Sequence, residues 1–423
     1  MLRFAPSPTG DMHIGNLRVA LFNALLSKQR NEPLIVRIED TDTERNIEGK
    51  DKEILEILGL FGIEYSDVIY QSSHLRYHRA MAIQLLHDKK AFNCFCTPAE
   101  LDRKRELAKE KNIPFRYDDT CTHLLPEETI DNENPFTIRL KKPAEAISVN
   151  DMVTGESIFT PDDVDSFVIM NAVKLPTYNF ACAVDDMLSD ISLVIRGEEH
   201  MSDTPKQIAV RDALGYDKKI EYAHLPAILN DDALSVKWLL EEGFLPEAIG
   251  NYLILIGNKT PEEIFTIAEA VEWFDLTKIS KAPARFDIDK LKFINCEHMK
   301  RLDTKEISRY VGFADDDIGG VAKIFLEEAS TTKELRAKIK PIFEPKVIPE
   351  EFTEAVDTMR KAILAAPFFE KYEEFKSHIM KESGLEGENF IKPLRILLTG
   401  AEDGPELADL YAYLKNYIGE IVK

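Results

Sequence analysis

Several common signatures are missing from this 423-residue sequence. It contains neither a G-x-G-x-x-G pattern nor a Walker loop, so a nucleotide site in this chain cannot be built on either phosphate-binding loop. No run of 18 apolar residues occurs, and the N-terminus shows no signal-peptide pattern. We therefore expect a cytoplasmic protein without a membrane span. No repeat period and no long low-complexity tract is visible.

Positive charge is also scarce. The chain has 53 Lys and Arg against 75 Asp and Glu, which gives a net charge of −22. Taken alone, this balance argues against a nucleic-acid partner. The argument is weak, because phosphate contacts depend on local patches rather than on the total charge. The length allows two to four domains with their own cores.

Cysteine is sparse, and its spacing is informative. The five cysteines are not expected to form disulfides in a cytosolic chain. Cys94-x-Cys96 is followed after 24 residues by Cys121-x-His123, and three thiolates with one imidazole suit tetrahedral zinc. A chance scatter of these four residues is the alternative. A capping box at Thr97 predicts a helix between the two pairs.

The segment "RFAPSPTGDMHIGNLRVALFNALL" predicts a short strand followed by a helix. Two prolines should end the strand near residues 5–7, and apolar residues recur at helical spacing from His13 onward. A helix N-terminus attracts phosphate, and Gly15 lets a ligand approach the backbone. The imidazole of His13 could donate to a phosphoryl oxygen. The alternative is a tight connection with no ligand.

Charged residues follow two further apolar segments. "PLIVRIED" predicts a strand over Leu34–Ile38 that ends at Glu39 and Asp40, where α/β proteins bind ligands. We expect Glu39 to face a cationic ligand group, whereas Asp40 could equally cap the next helix. Residues 43–90 are predicted to be helical by periodicity.

The α/β pattern returns near residue 166. "LPTYNFACAVDDMLSDISLVIRGEEH" predicts strand, turn and strand, followed by a helix with Ser202 as its cap. Arg196 directly follows an apolar run and could clamp a carboxylate. An ordinary ion pair with Glu198 or Asp185 is as plausible from spacing alone.

The remainder of the chain is predicted to be helical. We expect helices over 303–312, 317–340, 350–364, 368–383, 390–399 and 405–420. Such a region could contact a macromolecule or could serve the fold alone.

At this point the motifs point to a family. "RFAPSPTGDMHIGNLR", "VRIEDTD", "TYNFACAVDD", "VIRGEEHMSDTPKQ", "FLPEAIGNYL" and "LRILLTG" occur in the order seen in bacterial glutamyl-tRNA synthetases, which are class I aminoacyl-tRNA synthetases. The resemblance covers essentially the whole chain, and its first signature, "HIGH" in the family, is "HIGN" here. The zinc-like spacing matches some members as well.

The resemblance implies an α/β fold: a class I Rossmann-like catalytic domain split by a zinc-containing insertion, then a stem-contact domain and an all-helical anticodon-binding domain. The expected boundaries are 1–70 and 166–230 for the halves of the catalytic domain, 71–165 for the insertion that holds the tRNA acceptor end, 231–302 for the stem-contact domain and 303–423 for the anticodon-binding domain.

The resemblance also implies site residues and ligands. His13 and Gly15 fall on catalytic positions. The implied ATP-binding residues are Pro6, Ser7, Pro8, Thr9, Gly10, His13, Gly15, Asn16 and His200. The implied glutamate-binding residues are Arg3, Ala5, Ser7, Glu39, Tyr178 and Arg196. The ligands would be ATP with Mg²⁺, L-glutamate, tRNA and one structural Zn²⁺, held by the Cys94, Cys96, Cys121 and His123 set.

The implied activity is ligation of glutamate to the 3′ end of tRNA through an adenylate, by an enzyme expected to be a monomer and to need tRNA for activation. Two alternatives stay open: the same chemistry directed mainly at glutamine tRNA, or a tRNA-binding paralogue with impaired catalysis. The impaired paralogue is disfavoured because the glutamate and ATP positions are all present, but one departure from the family pattern bears on it. The family's lysine-bearing "KMSKS"-like loop is missing between Asp232 and Ala233, where about ten residues are absent, and Lys237 belongs to the following helix. We expect the gene to encode a lysine-bearing insert there; a true deletion is the alternative.

Overall fold

The structure of the chain is a computed structural model that describes residues 1–229 and 234–423. The chain forms two compact units. The first unit comprises Met1–Val236 and Leu253–Phe286, and the second comprises Lys237–Tyr252 and Asp287–Lys423. The predicted domain ranges divide the chain differently, since residues 231–302 belong partly to each unit, and they stay a prediction.

The strands are β1 (Leu2–Phe4), β2 (Leu34–Ile38), β3 (Asp67–Tyr70), β4 (Ala91–Cys94), β5 (Thr137–Leu140), β6 (Ile147–Asp151), β7 (Gly155–Phe159), β8 (Val168–Met170), β9 (Leu193–Gly197), β10 (Glu221–Leu225), β11 (Ile228–Leu229) and β12 (Ala284–Arg285). The α-helices are α1 (Ile14–Arg30), α2 (Lys50–Leu60), α3 (Leu75–His87), α4 (Pro98–Glu110), α5 (Pro126–Ile130), α6 (Pro161–Val164), α7 (Tyr178–Leu188), α8 (Thr204–Ala213), α9 (Val236–Glu241), α10 (Pro246–Leu255), α11 (Ile267–Trp273), α12 (Ile288–Arg301), α13 (Thr304–Tyr310), α14 (Asp316–Ile324), α15 (Thr332–Phe343), α16 (Thr353–Ala365), α17 (Tyr372–Ser383), α18 (Glu388–Thr399), α19 (Leu407–Leu414) and α20 (Ile418–Ile421).

A seven-stranded sheet forms the centre of the first unit, in the order β3-β2-β1-β9-β10-β6-β7. Its strands are parallel except for the β6–β7 pair. β1 and β2 are buried throughout, as expected for parallel strands covered on both faces. The sheet joins early strands to β9 and β10, so two distant parts of the sequence build one sheet.

The hairpin of β6 and β7 extends this sheet, although the sequence places it between the two halves of the catalytic domain. β6 pairs in parallel with β10, and Asp151 lies beside Tyr222. This register has a consequence for the site, because Asp151 thereby comes next to the residues at the end of β10.

A smaller antiparallel sheet has the order β4-β5-β8. α4 begins after β4, and the predicted capping box is confirmed: Thr97 Oγ1 accepts from Glu100 N at 3.3 Å while Glu100 Oε2 accepts from Thr97 N at 2.8 Å.

Three local predictions were wrong. Residues 43–90 are not uniformly helical, because β3 interrupts them with a four-residue edge strand too short to show a period. Residues 178–188 form α7 rather than a strand, since a short apolar run such as residues 180–184 gives the same pattern in either conformation. The cap of α8 is Asp203, not Ser202.

The second unit is helical apart from its connections. The predicted helix over 317–340 is two helices, α14 and α15, separated by residues 325–331. Among the described helices, none combines the length and apolar content that a bilayer span requires.

Candidate active site and thiol cluster

The turn between β1 and α1 carries the predicted phosphate-binding residues. His13 caps α1, and its Nδ1 accepts from Gly15 N at 3.3 Å. A Cβ added at Gly15 would lie 3.5 Å from His13 Nδ1, an ordinary contact. The packing of the described residues therefore does not demand glycine here.

The start of α1 is bordered by the segment that resumes at residue 234. Ile14 N donates to Leu234 O at 3.2 Å, and Val236 N donates to Met12 O at 2.9 Å. The predicted lysine loop precedes this segment and falls within residues 230–233, outside the described residues. Lys237 lies in α9, as predicted.

A cavity of about 200 Å³ opens at the start of α1. It is lined by His13, Gly15, Asn16, Arg18, Val19, Gly197, Glu199, Leu225, Pro226, Ala227 and Ile228. The ends of β9 and β10 thus meet the helix terminus, the place where open parallel sheets bind nucleotides. In the turn, Pro6 and Pro8 are buried, Ser7 and Thr9 are exposed, and Gly10 is half-buried.

A second cavity of about 510 Å³ lies at the end of β2. Its lining includes Ser7, Glu39, Thr41, Gln71, Asn171 and Tyr178. Tyr178 begins α7, and its hydroxyl lies 3.5 Å from Nδ1 of His200. Burial raises the pKa of Tyr178, and the charges of Glu39, Arg196 and Arg3 also act on it. The charges of three predicted glutamate-binding residues therefore act on this phenol, and His200 lies beside it. Ala5 is half-buried in the turn after β1.

Arg196 is buried at the end of β9 among neutral partners. Its Nε donates to His224 Nε2 at 3.0 Å, Nη1 to Gln207 Oε1 at 3.1 Å, and Nη2 to Thr204 Oγ1 at 2.7 Å. Within the described residues no carboxylate pairs with it, so neither alternative ion pair is formed. A buried guanidinium without a counter-ion favours an anionic ligand.

Arg3 belongs to a different arrangement. Its Nε donates to Asp186 Oδ1 at 3.2 Å, and the same oxygen accepts from Arg37 Nη1 at 2.5 Å. Arg37 Nη2 also donates to Glu39 Oε1 at 3.2 Å, and Cys182 Sγ donates to that oxygen at 3.1 Å. Two cations and two carboxylates are thus buried together, and Arg3 already has a counter-ion.

Asp185, next along α7, holds two imidazoles. Its Oδ1 lies 2.9 Å from His74 Nδ1 and 2.9 Å from His78 Nε2, and Oδ2 accepts from Gln71 Nε2 at 2.9 Å. Hydrogen bonds from these groups and the charge of Arg37 lower its pKa although burial opposes them. Asp185 therefore ties α7 to α3, behind the second cavity.

Three cysteines form a cluster beside the small sheet. The sulfur atoms of Cys94, Cys96 and Cys121 all lie within 4.8 Å of one another, and the Cys96 to Cys121 distance is 3.6 Å. Sulfur atoms that share a tetrahedral zinc lie about 3.8 Å apart, given zinc–sulfur bonds of about 2.3 Å. The three thiols therefore fit this metal.

The hydroxyl of Tyr117 lies beside the three thiols. The hydroxyl oxygen lies 3.4 Å from the sulfur atoms of both Cys94 and Cys96, and it accepts from Cys121 N at 3.1 Å. An oxygen and a sulfur on one tetrahedral zinc are about 3.5 Å apart. Burial opposes ionisation of Cys94, but hydrogen bonds from Tyr117 and Arg139 lower its pKa to about 7.

His123, the predicted fourth ligand, is exposed and is not part of this cluster. Cys121 and His123 lie in a 3₁₀ helix over Thr120–His123. With three residues per turn, positions two apart point about 120° away from each other. The C-x-H spacing therefore directs the imidazole away from the thiols. Sequence reasoning missed Tyr117 because a phenol is not an expected zinc ligand.

Fold and site together define an α/β protein with a mostly parallel sheet, one cavity at the start of α1 and a second cavity at the end of β2. Residues 1–293, more than half of the chain, match the family described as "tRNA synthetases class I (E and Q), catalytic domain". The chain therefore belongs to the class I tRNA synthetases of the E and Q group.

Full-length relatives are similar as well. A protein named glutamate--tRNA ligase 2 from Sulfurimonas denitrificans is 67% identical over 432 aligned positions, which cover 100% of both chains. Glutamate--tRNA ligase 1 from a Nitratiruptor species is 56% identical with the same coverage. The solved structure of a glutamate tRNA ligase from Elizabethkingia meningosepticum, in complex with its amino acid, has a TM-score of 0.82 at 27% identity, covering 100% of this chain and 98% of that one.

Proposed function

We propose that this protein activates L-glutamate with ATP and transfers it to the 3′ end of a tRNA. The observation that carries the proposal is Arg196, a buried cation whose described partners are all neutral. Glutamate offers two carboxylates and one ammonium, and the charged groups around Tyr178 match them. The names of the full-length relatives agree with this substrate.

The reaction has two steps. A carboxylate oxygen of glutamate attacks the α-phosphorus of ATP, pyrophosphate leaves, and a mixed anhydride with AMP remains. A hydroxyl of the terminal ribose then attacks the acyl carbon and AMP leaves. Both steps depend on positioning and charge stabilisation, and no protein nucleophile is required.

Several of the predicted residues have a role in this scheme. His13 and the start of α1 face the phosphates, and the ATP enters with Mg²⁺. Arg196 binds one glutamate carboxylate, Arg3 faces the other, and Glu39 faces the ammonium group. Glutamine is rejected because its amide cannot neutralise a buried guanidinium.

The choice of tRNA tests the proposal. Purified glutamate tRNA and glutamine tRNA should each be incubated with the protein, ATP and radioactive glutamate. We expect charging of glutamate tRNA and little exchange of pyrophosphate into ATP without tRNA. Charging restricted to glutamine tRNA would favour the alternative specificity. Absence of charging with either tRNA, while tRNA still binds, would favour the impaired paralogue.

We also propose that Cys94, Cys96, Cys121 and Tyr117 hold one structural zinc. Cys121→Ser should release the metal and lower the melting temperature, because binding of a structural metal contributes folding free energy. Tyr117→Phe should weaken metal affinity by a smaller factor, and His123→Ala should leave it unchanged. Metal content by elemental analysis distinguishes the three variants. Loss of zinc in His123→Ala with retention in Tyr117→Phe would restore the ligand set predicted from the spacing.

The lysine loop gives a separate prediction. The alignment with the Sulfurimonas relative has nine more positions than this chain has residues. This difference indicates that the given sequence lacks residues relative to that protein, but it does not show where in the chain they are lacking. If the gene encodes a lysine-bearing insert after Asp232, the intact mass of the native protein will exceed 48.2 kDa. A mass equal to that value means a true deletion, and the phosphates then need another cation.

A further inference from the structure

A chain of buried polar side chains lies behind Arg196 and crosses three adjacent strands. Asp151 is on β6, His224 on β10 and Arg196 on β9. Asp151 Oδ2 lies 2.7 Å from His224 Nδ1 and accepts from His224 N at 3.0 Å. His224 is fully buried, and Asp151 is 4% exposed. Neither Asp151 nor His224 is among the predicted site residues.

The hydrogen bonds fix where the protons lie. Thr204 Oγ1 accepts from Arg196 Nη2 and lies 3.0 Å from His224 Nε2. The same nitrogen accepts from Arg196 Nε. His224 Nε2 therefore carries no proton, and Nδ1–H donates to Asp151. This is the neutral tautomer of the imidazole.

We propose that Asp151 and His224 are positioning residues for glutamate binding: Asp151 holds His224 in the tautomer that accepts from Arg196, and this contact fixes the guanidinium face presented to the substrate. The inference rests on the proposed function, since it requires Arg196 to bind a glutamate carboxylate.

The geometry leaves the right donors for that carboxylate. A guanidinium has five N–H groups. Three of them are used, one each by His224, Gln207 and Thr204, so one N–H remains on Nη1 and one on Nη2. Each of these two remaining N–H groups can donate to a carboxylate oxygen. Without the acceptor at His224, the Nε–H of Arg196 would be unpaired, and the guanidinium could rotate away from the substrate.

The arrangement also makes glutamate binding sensitive to pH. His224 faces Asp151 from β6, Arg196 from β9 and Thr204 from α8; Tyr222 stacks on it at 6.1 Å, and the charge of His200 also acts on it. Burial lowers its pKa, Asp151 opposes this and Arg196 adds to it. A proton gained below that pKa must go to Nε2, where it faces the Nε–H of Arg196. Glutamate affinity should therefore fall on the acid side.

Four substitutions test this positioning role. His224→Leu removes the acceptor of the Arg196 Nε–H. Thr204→Val keeps the shape of the side chain but removes the hydroxyl that contacts both Arg196 and His224. His224→Gln keeps an acceptor oxygen that cannot be protonated, and Arg196→Ala removes the proposed ligand of the substrate. His87→Gln, the same exchange at an exposed helix end, is the control. KM for glutamate, KM for ATP and kcat of tRNA charging are measured from pH 5.5 to 8, with a thermal melt for each variant.

We expect His224→Leu and Thr204→Val to raise KM for glutamate about tenfold, the loss of one hydrogen bond to a charged group, with little change in KM for ATP. His224→Gln should recover much of the affinity, and its KM should no longer rise toward pH 5.5. His87→Gln should match the wild type. If His224 had only a structural role, its substitution would change the melting temperature and kcat. KM for glutamate in His224→Gln would then still rise toward pH 5.5.

Two results would overturn the inference. One is an unchanged KM for glutamate in folded His224→Leu and Thr204→Val while Arg196→Ala raises it. The other is an acid rise in His224→Gln equal to that of the wild type. If Arg196→Ala itself leaves KM for glutamate unchanged, the assignment of Arg196 in the proposed function is wrong, and the inference falls with it.

Discussion

Arg37→Met is expected to lower the free energy of unfolding by about 3–5 kcal/mol, the usual effect of removing one partner from a buried ion pair. Arg37 is completely buried, and it bonds both Asp186 and Glu39. Its removal leaves the buried carboxylates of Asp186 and Glu39 with Arg3 as the one remaining cation of the cluster. Methionine fills much of the volume, so the loss reflects charge rather than a cavity. Urea unfolding followed by circular dichroism measures it.

Arg105→Met is the matched control. Arg105 bonds Asp102 at 2.6 Å on the exposed face of α4, and exposed pairs of this kind contribute roughly 0–1 kcal/mol. A double variant, Arg37→Met with Asp186→Asn, should lose less stability than the sum of the single variants, because the residues are in direct contact. Equal urea midpoints for Arg37→Met and Arg105→Met would contradict the stabilising role of the cluster.

The same cluster should make stability depend on pH. Burial alone raises the pKa of a carboxyl, but Arg3 and Arg37 lower that of Asp186 to about 2. Its pKa in the unfolded chain is about 3.9. The stabilisation is therefore complete above about pH 4 and is lost as the pH falls toward 2. In Asp186→Asn, the melting temperature should depend less on pH between about 4 and 2. An unchanged pH dependence there would mean that other carboxylates dominate it.

The strands and helices that sequence reasoning found have strong local signals. β1, α1 and β2 follow from proline positions, helical periodicity and a short apolar run, and α4 follows from its capping box. α7 was misassigned because its apolar run, residues 180–184, is too short for its period to distinguish a helix from a strand. β3 was missed because four half-exposed residues carry too little pattern.

The site was only partly predictable, for physical reasons. Arg196 stands out because a charge directly after an apolar strand needs a partner. Asp151 and His224 could not be paired from sequence, since they are 73 positions apart and meet only through the register of β6 on β10. Likewise, the spacing of the thiols predicts a metal cluster, but the direction of His123 depends on the turn of a short 3₁₀ helix, and Tyr117 lies in an irregular segment before it.

Glutamate recognition should depend more on Arg196 than on Arg3. Arg196 has neutral partners, so a substrate carboxylate is the counter-ion it lacks, whereas Arg3 already bonds Asp186. A charge-assisted bidentate contact contributes about 1.5–3 kcal/mol, and truncation also leaves the substrate charge unpaired. Arg196→Ala should therefore reduce kcat/KM for glutamate at least about 100-fold, which corresponds to roughly 2.8 kcal/mol.

Arg3→Ala should reduce kcat/KM for glutamate at least about tenfold and should also lower the melting temperature, because Asp186 loses one of its two cations. Arg3→Gln should lower kcat/KM for glutamate and bring it closer to kcat/KM for glutamine. The reason is that the amide of glutamine would no longer face an unneutralised guanidinium. KM for ATP should barely change in any variant. The decisive quantity is the ratio of kcat/KM for glutamate to that for glutamine, measured beside a thermal melt. If Arg3 serves only the ion cluster, its variants will melt earlier with the ratio intact, and selectivity then belongs to Arg196 alone.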